Sequence, residues 1–380
     1  MTLLETPPKT STATGPELLF REARQRRKRR WLVSGIVAAV IIVAVSSIVL
    51  LGTTAGQGTS TQGIANAPTP VAGVGALPKQ MVIVNLGGKQ QTLEVISSSS
   101  GHTVRKLTSA VGSFDGTIQA TVTRSGIVYF DHAGALGDEP SQQIWRVPLT
   151  GGPPAFVAYG HTPEVSPNGK FLAYLTWTAL TNAPASIVVM NIATGATTTW
   201  SYSTHVPEIS ELTWAPDSQT LVFTTTVTTG RTAWTYGARS VPLASPNRSL
   251  DDARPIRLLA HAFWVGYLNS MQAMEVVVHR DFLDQRDWVQ PVVVNVATGR
   301  MAKRLPALPG QSESPPNGAG QWQIDPSGHY LALIGQRIRF GVGAGTDLYR
   351  WSIDPSPARE TDRPRIVKRD VWGPAWVPSS

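Results

Sequence analysis

Val165-Ser166-Pro167-Asn168-Gly169-Lys170-Phe171-Leu172-Ala173-Tyr174-Leu175 returns along the chain. It is echoed by Trp214-Ala215-Pro216-Asp217-Ser218-Gln219-Thr220-Leu221-Val222-Phe223 and by Ile324-Asp325-Pro326-Ser327-Gly328-His329-Tyr330-Leu331-Ala332-Leu333. Half of it closes the chain as Trp376-Val377-Pro378-Ser379-Ser380. A recurring phrase of this length means one supersecondary unit repeated, with function residing where the units differ. Each phrase reads as an apolar strand, a tight turn and a second strand. Proline presets φ for the turn, and Gly or an Asx residue tolerates the reversal.

A second phrase completes the unit. Val188-Val189-Met190-Asn191-Ile192-Ala193-Thr194-Gly195 and Val292-Val293-Val294-Asn295-Val296-Ala297-Thr298-Gly299 end a third strand in another tight turn, as does Val147-Pro148-Leu149-Thr150-Gly151-Gly152. A short fourth strand follows, as at Pro255–Leu259 and Pro364–Lys368. Four strands with tight turns make one propeller blade. Pro167 to Pro216 is 49 residues, Pro216 to Pro326 is 110 and Pro326 to Pro378 is 52. Units therefore fall near 80–108, 114–159, 161–206, 209–260, 262–308 and 319–370. The first lacks its leading strand, and Trp372–Pro378 resembles that strand at the far end of the chain. The expectation is an all-β, six-bladed propeller over residues 80–380, closed by the C-terminal strand so that no sheet edge is left open between the ends. Seven blades is the alternative, because blade two and the stretch 109–125 are weakly marked.

These phrases resemble the TolB-type propeller repeat, also found in dipeptidyl-peptidase propellers. The resemblance covers about residues 80–380, is strongest in units three, four and six, and breaks in unit five, where Tyr267-Leu268-Asn269-Ser270 replaces the Pro-Asp-Gly turn. It implies a propeller with a tendency to bind proteins or peptides, and it carries no particular function with it. No peptidase domain is expected after the propeller.

The N-terminus sets the expected location. Trp31 to Gly52 holds no charged residue and is mostly Val, Ile, Ala and Leu. Twenty-two helical residues at about 1.5 Å each reach roughly 33 Å, enough to span a bilayer. Seven of residues 21–30 are basic, whereas 53–79 contains only Lys79. The positive-inside rule then places a tail, 1–30, in the cytoplasm and the propeller outside the plasma membrane, as a single-pass protein of bacterial type. Cleavage after an apolar stretch of this length is disfavoured, since signal-peptide cores are shorter. Residues 53–79, rich in Gly, Thr, Ala, Pro and Gln, read as a flexible linker. The net charge is +8, of which residues 1–30 contribute 8 − 3 = +5, so the basic balance reports topology, and no nucleic-acid partner is expected. With no cysteine, thiol catalysis, disulfides and lipid attachment through cysteine are excluded.

The connections between second and third strands share one face of the disc with those between blades. They are the irregular ones: Asp131–Gln143, Trp177–Ala185, Val227–Ala238, Arg280–Gln290, Gln336–Thr346 and Pro309–Gly320. Binding usually resides in loops on a rigid scaffold. Arg231, Trp234 and Tyr236, then Arg280, Asp281, Asp284, Arg286 and Trp288, then Arg337, Arg339 and Phe340 supply interface-favouring side chains there. These are the candidate binding residues, with self-pairing of the loop charges as the competing reading. His132, His161, His205, His261 and His279 fall towards the same face, and converging imidazoles could ligate a transition metal. They share no register and form no local ligand pair, so no metal and no cofactor is expected. Neither a Gly-x-Ser-x-Gly elbow nor a phosphate loop nor a zinc-protease motif occurs. Trp214, Trp264, Trp322 and Trp376 occupy first-strand positions and are expected to pack between blades. The function expected is non-catalytic binding of a protein, peptide or envelope polymer. The alternatives are a hydrolase or lyase with a histidine-lined mouth, or a transmembrane sensor.

Overall fold

The computed structural model describes residues 77–87, 91–109, 119–133, 142–176, 186–202, 208–229, 233–245, 248–256, 262–281, 286–305, 322–339, 342–353 and 365–378. The stretch 31–52 lies outside them. Among the described residues, no helix is long and apolar enough to cross a membrane. The propeller unit comprises Val71–Thr228 and Trp234–Ser380. Of the second unit, Met1–Pro70 with Thr229–Ala233, only the strand ends Thr229 and Ala233 are described.

Among the described residues, twenty-four strands form six four-stranded antiparallel sheets. The first blade holds β1 (Gln80–Asn85), β2 (Thr92–Ser97) and β3 (Thr103–Ser109). The second is β4 (Ala120–Val122), β5 (Ile127–Ala133), β6 (Gln142–Pro148) and β7 (Ala155–Tyr159). The third is β8 (His161–Val165), β9 (Phe171–Thr176), β10 (Ser186–Asn191) and β11 (Thr197–Ser201). The fourth is β12 (Glu208–Trp214), β13 (Thr220–Thr229), β14 (Ala233–Pro242) and β15 (Arg254–Pro255). The fifth is β16 (Ala262–Tyr267), β17 (Gln272–Asp281), β18 (Arg286–Asn295) and β19 (Met301–Arg304). The sixth is β20 (Trp322–Ile324), β21 (Tyr330–Arg339), β22 (Val342–Ser352) and β23 (Arg365–Arg369). The last strand, β24 (Val371–Trp376), completes the first blade in the order β24-β1-β2-β3. Met81 faces Trp376 and Val82 faces Ala375 in that pairing. The innermost strands β24, β4, β8, β12, β16 and β20 each touch the next around a closed ring.

The repeated phrases are turns held by their own side chains. Asn191 Oδ1 accepts from the backbone N–H groups of Ala193 and Thr194, and Asn295 Oδ1 from Ala297 and Thr298. Gly195 and Gly299 follow with φ of 73° and 67°. At the first turn, Asp217 Oδ1 accepts from Gln219 and Thr220, while in blade six the buried Asp325 accepts from Ser327, His329 and Tyr330. Blade five, whose turn departs from the pattern in sequence, does the same with Asn269, which accepts from Met271 and Gln272. An Asx acceptor, which sets the reversal, is common to these turns, and proline is dispensable.

Apolar residues alternate with turn residues because each blade packs both faces against its neighbours. Leu212, Trp214, Leu221 and Phe223 of blade four join Leu175, Ile187 and Trp200 of blade three in one cluster. Trp264, Met274 and Val276 of blade five join Trp322, Leu331 and Trp351 of blade six in another. Trp214, Trp264, Trp322 and Trp376 are all buried, as their first-strand positions imply. Trp214 Nε1 donates to the Glu164 carbonyl of the preceding blade at 3.0 Å, and Trp376 Nε1 donates likewise to the Gln323 carbonyl at 3.0 Å. These indoles fix one blade against the next.

Two turn glycines separate conformational need from packing. Gly169 and Gly328 have φ of 72° and 75°. A Cβ on Gly169 would meet nothing within 4 Å, whereas one on Gly328 would lie 2.4 Å from the Leu268 carbonyl oxygen of blade five. Gly169→Ala is expected to cost only the left-handed backbone penalty, about 1–2 kcal/mol. Gly328→Ala is expected to cost about 3 kcal/mol or more, because the inter-blade contact must also shift. Denaturant melts of the two variants check this, and equal losses would contradict it.

Candidate functional site

Two regions stand out, on opposite faces. On the face of the second-to-third-strand connections, blades four, five and six raise long hairpins. Their paired strands, β13 with β14, β17 with β18 and β21 with β22, run ten or eleven residues. Among the described residues, the corresponding strands of blades one to three have six or seven. The connections 134–141 and 177–185 of blades two and three lie outside the described residues. The stretches Val227–Ala238, Arg280–Gln290 and Gln336–Thr346, expected as irregular loops, are therefore mostly strand. Consecutive β-branched and aromatic residues across the turns, such as Val227, Val278 and Val289, continue the pairing beyond the blade body.

Trp234 and Tyr236 lie on β14, Arg280 and Asp281 at the end of β17, Arg286 and Trp288 at the start of β18, and Arg337 and Arg339 at the end of β21. Arg231, Asp284 and Phe340 lie outside the described residues. The register sets Arg280 opposite Asp287, Asp281 opposite Arg286 and His279 opposite Trp288. Opposite charges directly across an antiparallel pair favour that register.

The described candidate histidines, His132, His161 and His279, lie on three separate strands. His205 and His261 lie outside the described residues, and His279 is on β17. His132 is a strand residue of β5, paired in register with Gln143, and its ring stands 6.3 Å from that of Trp145. His161 opens β8, its Nδ1 3.0 Å from Thr162 Oγ1. Burial pushes its pKa down to about 4, so it is neutral at physiological pH. Among the described residues, no group of three or more His, Cys, Asp or Glu is placed to hold a metal ion.

The second region is a cavity of about 500 Å3 on the axis, opening among the short first-to-second-strand turns. All six innermost strands contribute to it. Its walls include Trp214, Trp264, Tyr267, Trp322 and Trp376, and Arg124 stands at its rim in the exposed turn of blade two. The penultimate residues of the six innermost strands are Thr121, Glu164, Thr213, Gly266, Gln323 and Ala375. Four are small. The two long ones come from β8 and β20, which stand opposite each other in the ring. Gln323 Nε2 donates to Glu164 Oε1 across the channel at 3.1 Å and forms the floor of the cavity.

Further along the axis lies a second amide–acid pair, in which Gln119 Nε2 donates to Glu211 Oε2 at 3.3 Å. The Gln119 backbone N–H in turn donates to Asp131 Oδ1, and that of Thr162 donates to Asp131 Oδ2 at 3.0 Å. Thr162 adopts a φ of 55° where β8 slips register between His161 and Glu164. That bulge turns its N–H towards blade two.

Burial dominates the acidity of this column. It raises Glu164 to about 8, helped by the Glu211 charge and opposed by the Gln323 hydrogen bond. It raises Glu211 to about 7, with the Gln119 bond opposing and Asp131 adding, and it raises Asp131 to about 7 against its backbone donors. Glu164 keeps some exposed surface, where it lines the cavity. The half-buried Glu275 is also raised by burial, to about 7. The sequence reading missed Glu164, Gln323, Glu211, Gln119 and Asp131. Their signal was available: Glu164 and Gln323 each directly precede the apolar residue that opens a repeat phrase, a polar residue recurring inside an otherwise buried strand.

No protein-family model matches the chain, and no curated protein matches it in sequence. Solved structures do match. TolB from Acinetobacter baumannii superposes with a TM-score of 0.54 at 14% identity, over 79% of this chain and 67% of that one. The tricorn protease gives 0.47 at 14% identity, over 76% of this chain and 30% of that one. The acylaminoacyl peptidase of Pyrococcus horikoshii gives 0.39 at 14% identity, over 62% and 38%. The likeness to TolB is one of fold: an all-β, six-bladed propeller.

The carboxyl column makes stability pH-dependent. A carboxyl with a raised folded-state pKa holds its proton better folded than unfolded. Its stabilisation is complete below the unfolded value, near ~4, and is lost as pH rises through the folded value. His161 works the other way, but its loss begins only below its unfolded value, about 6.5. Between pH 8.5 and 6.5 the acids therefore act almost alone. The thermal midpoint is expected to rise as pH falls across that window, and less so in Glu164→Gln. A flat profile in the unaltered protein would contradict the assignment.

Proposed function

We propose that this protein is a membrane-anchored recognition module. Its propeller is displayed outside the cytoplasmic membrane, and the three long hairpins of blades four to six engage a protein, a peptide or an envelope polymer without chemistry. The observation that carries the reading is the clustering of those hairpins. They belong to consecutive blades, rise on one face, and bear Trp234, Tyr236, Arg280, Trp288, Arg337 and Arg339, residue types that dominate interfaces. A rigid ring beneath them fixes their spacing, so ordering entropy on binding is small.

The chemistry of the axis supports binding over catalysis. Ser166 Oγ donates to Asn168 and accepts from the Phe171 N–H, and Ser218 Oγ accepts from the Asn168 N–H. These hydroxyls are turn and inter-blade fasteners, not partners of a general base. The column carboxyls bond to amides and backbone N–H groups. The location rests on the sequence alone: the uncharged run Trp31–Gly52 behind a cluster of seven basic residues. A sensor role would have to pass a signal through that run to a 30-residue tail, and ranks below a scaffold.

Cross-linking followed by affinity capture from intact membranes tests the reading. The full-length protein is expected to retain a specific partner that is lost when Trp234, Tyr236 and Trp288 are changed to Ala. Identical capture by both would contradict recognition through the hairpins. Because the chain has no cysteine, single cysteines report topology cleanly. Thr12→Cys in whole cells is expected to resist a membrane-impermeant maleimide, and Ser245→Cys to react. The reverse pattern would overturn the proposed orientation.

A further inference from the structure

The cavity opposite the hairpins has a chemistry of its own. Its volume, about 500 Å3, suits a small ligand or a single residue of a longer one. The Glu164–Gln323 hydrogen bond spans the channel at the inner end of the cavity. A chain end or a side chain can enter it.

The walls are aromatic and the floor is acidic. Trp264 and Trp322 pack with ring centroids 6.1 Å apart at 32°, and Tyr267 joins them in the lining. Ring faces attract cations, most strongly where water is excluded. Trp322 Nε1 is buried without a hydrogen-bond partner, unlike the indoles of Trp214 and Trp376, which reach preceding-blade carbonyls. Trp322 is therefore held by packing between blades five and six and not by its N–H. Gly266 sits at the penultimate position of β16, where a Cβ would meet the Trp264 ring at 2.3 Å and Ile324 at 2.7 Å. A side chain at that position would displace the aromatic wall.

The charged groups near the cavity are few. Asp325 lines it, but its carboxylate is engaged by the N–H groups of Ser327, His329 and Tyr330 and by the Ser327 hydroxyl. Arg124 stands at the mouth. Glu211 from β12 lies behind the floor, with Asp131 of β5 beyond it, and neutral His161 opens the same strand as Glu164. Glu164 is thus the acid at the inner end, and Gln323 occupies only one of its oxygens.

We propose that the central cavity binds an alkylammonium group, its chain against the Trp264–Trp322–Tyr267 wall and its charge paired with the Glu164 carboxylate at the floor. The group comes from a lysine-type side chain or from a free amino terminus. Unliganded, Glu164 holds its proton at neutral pH, because burial and Glu211 raise its pKa to about 8. The cation stabilises the ionised acid, so binding releases one proton: ammonium plus carboxylic acid gives the ammonium–carboxylate pair and a hydrated proton. Affinity therefore rises with pH up to the pKa of Glu164 and then levels.

Calorimetric titration of the full-length protein with pentylammonium chloride tests this, run in buffers of differing ionisation enthalpy and with pentanol and sodium pentanoate as isosteres. The expected result is saturable binding with a dissociation constant on the order of a millimolar, close to one proton released at pH 6.5, and affinity at least roughly tenfold above either isostere. Glu164→Gln, which replaces the neutral acid by a neutral amide of the same shape, is expected to abolish both the proton release and the preference over pentanol. The proton count needs no variant, so the test survives a Glu164→Gln protein that folds poorly. Ala-Ala-Ala-amide and N-acetyl-Ala-Lys-Ala-amide separate the two sources: the tighter binder identifies the amine that fits. Equal binding of pentanol, tighter binding of pentanoate, or binding without proton release would overturn the ammonium assignment. No saturable binding of any probe would overturn the cavity as a site. None of these outcomes touches the hairpin face, which is tested by partner capture.

Discussion

Antiparallel pairing of β24 with β1 is the constraint on which the architecture depends. It joins residues nearly 300 positions apart in sequence and turns six separate sheets into a ring. Only a closed ring brings β8 opposite β20 at the distance a glutamine and a glutamate can span. It also seats the Trp376 indole on the Gln323 carbonyl, so the strand that closes the ring also braces the cavity floor. Closure, blade packing and the axial site are mechanically one feature. The cost is kinetic: a contact of such sequence separation pays its loop-closure entropy before it is rewarded.

Convergence of six strands creates the second defining property. Residues on the innermost strands lose solvent, whatever their chemistry, because the ring leaves only a narrow axis. Apolar residues there would simply fill it. This chain instead places three carboxyls on blades two, three and four, each answered by an amide or by backbone N–H groups. Gln323 and Gln119 donate to Glu164 and Glu211, bonds that favour the ionised acids, but burial outweighs them and favours the neutral form. The axis is in effect a polar core that holds protons.

The fold was legible because its signals are local and repeated. Pro167, Pro216 and Pro326 set the spacing, Asn191 and Asn295 mark equivalent turns, and Trp376-Val377-Pro378 shows half a phrase at the end of the chain. Even the break at Asn269 is a substitution within one turn chemistry, which the backbone hydrogen bonds make plain. Hairpin length in blades four to six was misread as loop, since Arg, Asp, Thr and Gly there look like loop residues when strand pairing is judged only by apolar alternation. The axial site was not read because it depends on through-space convergence. Glu164 and Gln323 are 159 residues apart, and nothing local links them. What sequence did offer was their shared position before Val165 and Ile324, a cue that gains meaning only once the ring is closed. The four first-strand tryptophans were correctly placed between blades, yet the same side chains also wall the cavity.

The protonated axis is the claim that ties closure, site and pH response together, and it is directly observable. Carbon-13 NMR of glutamate δ-carboxyl groups in the labelled full-length protein, followed from pH 4 to 9, reports each titration. The account predicts that the Glu164 and Glu211 resonances, identified by their loss in the glutamine variants, titrate near pH 8 and pH 7. Titration of both near the ordinary glutamate value, about 4.3, would contradict it and leave the channel lined by solvated carboxylates.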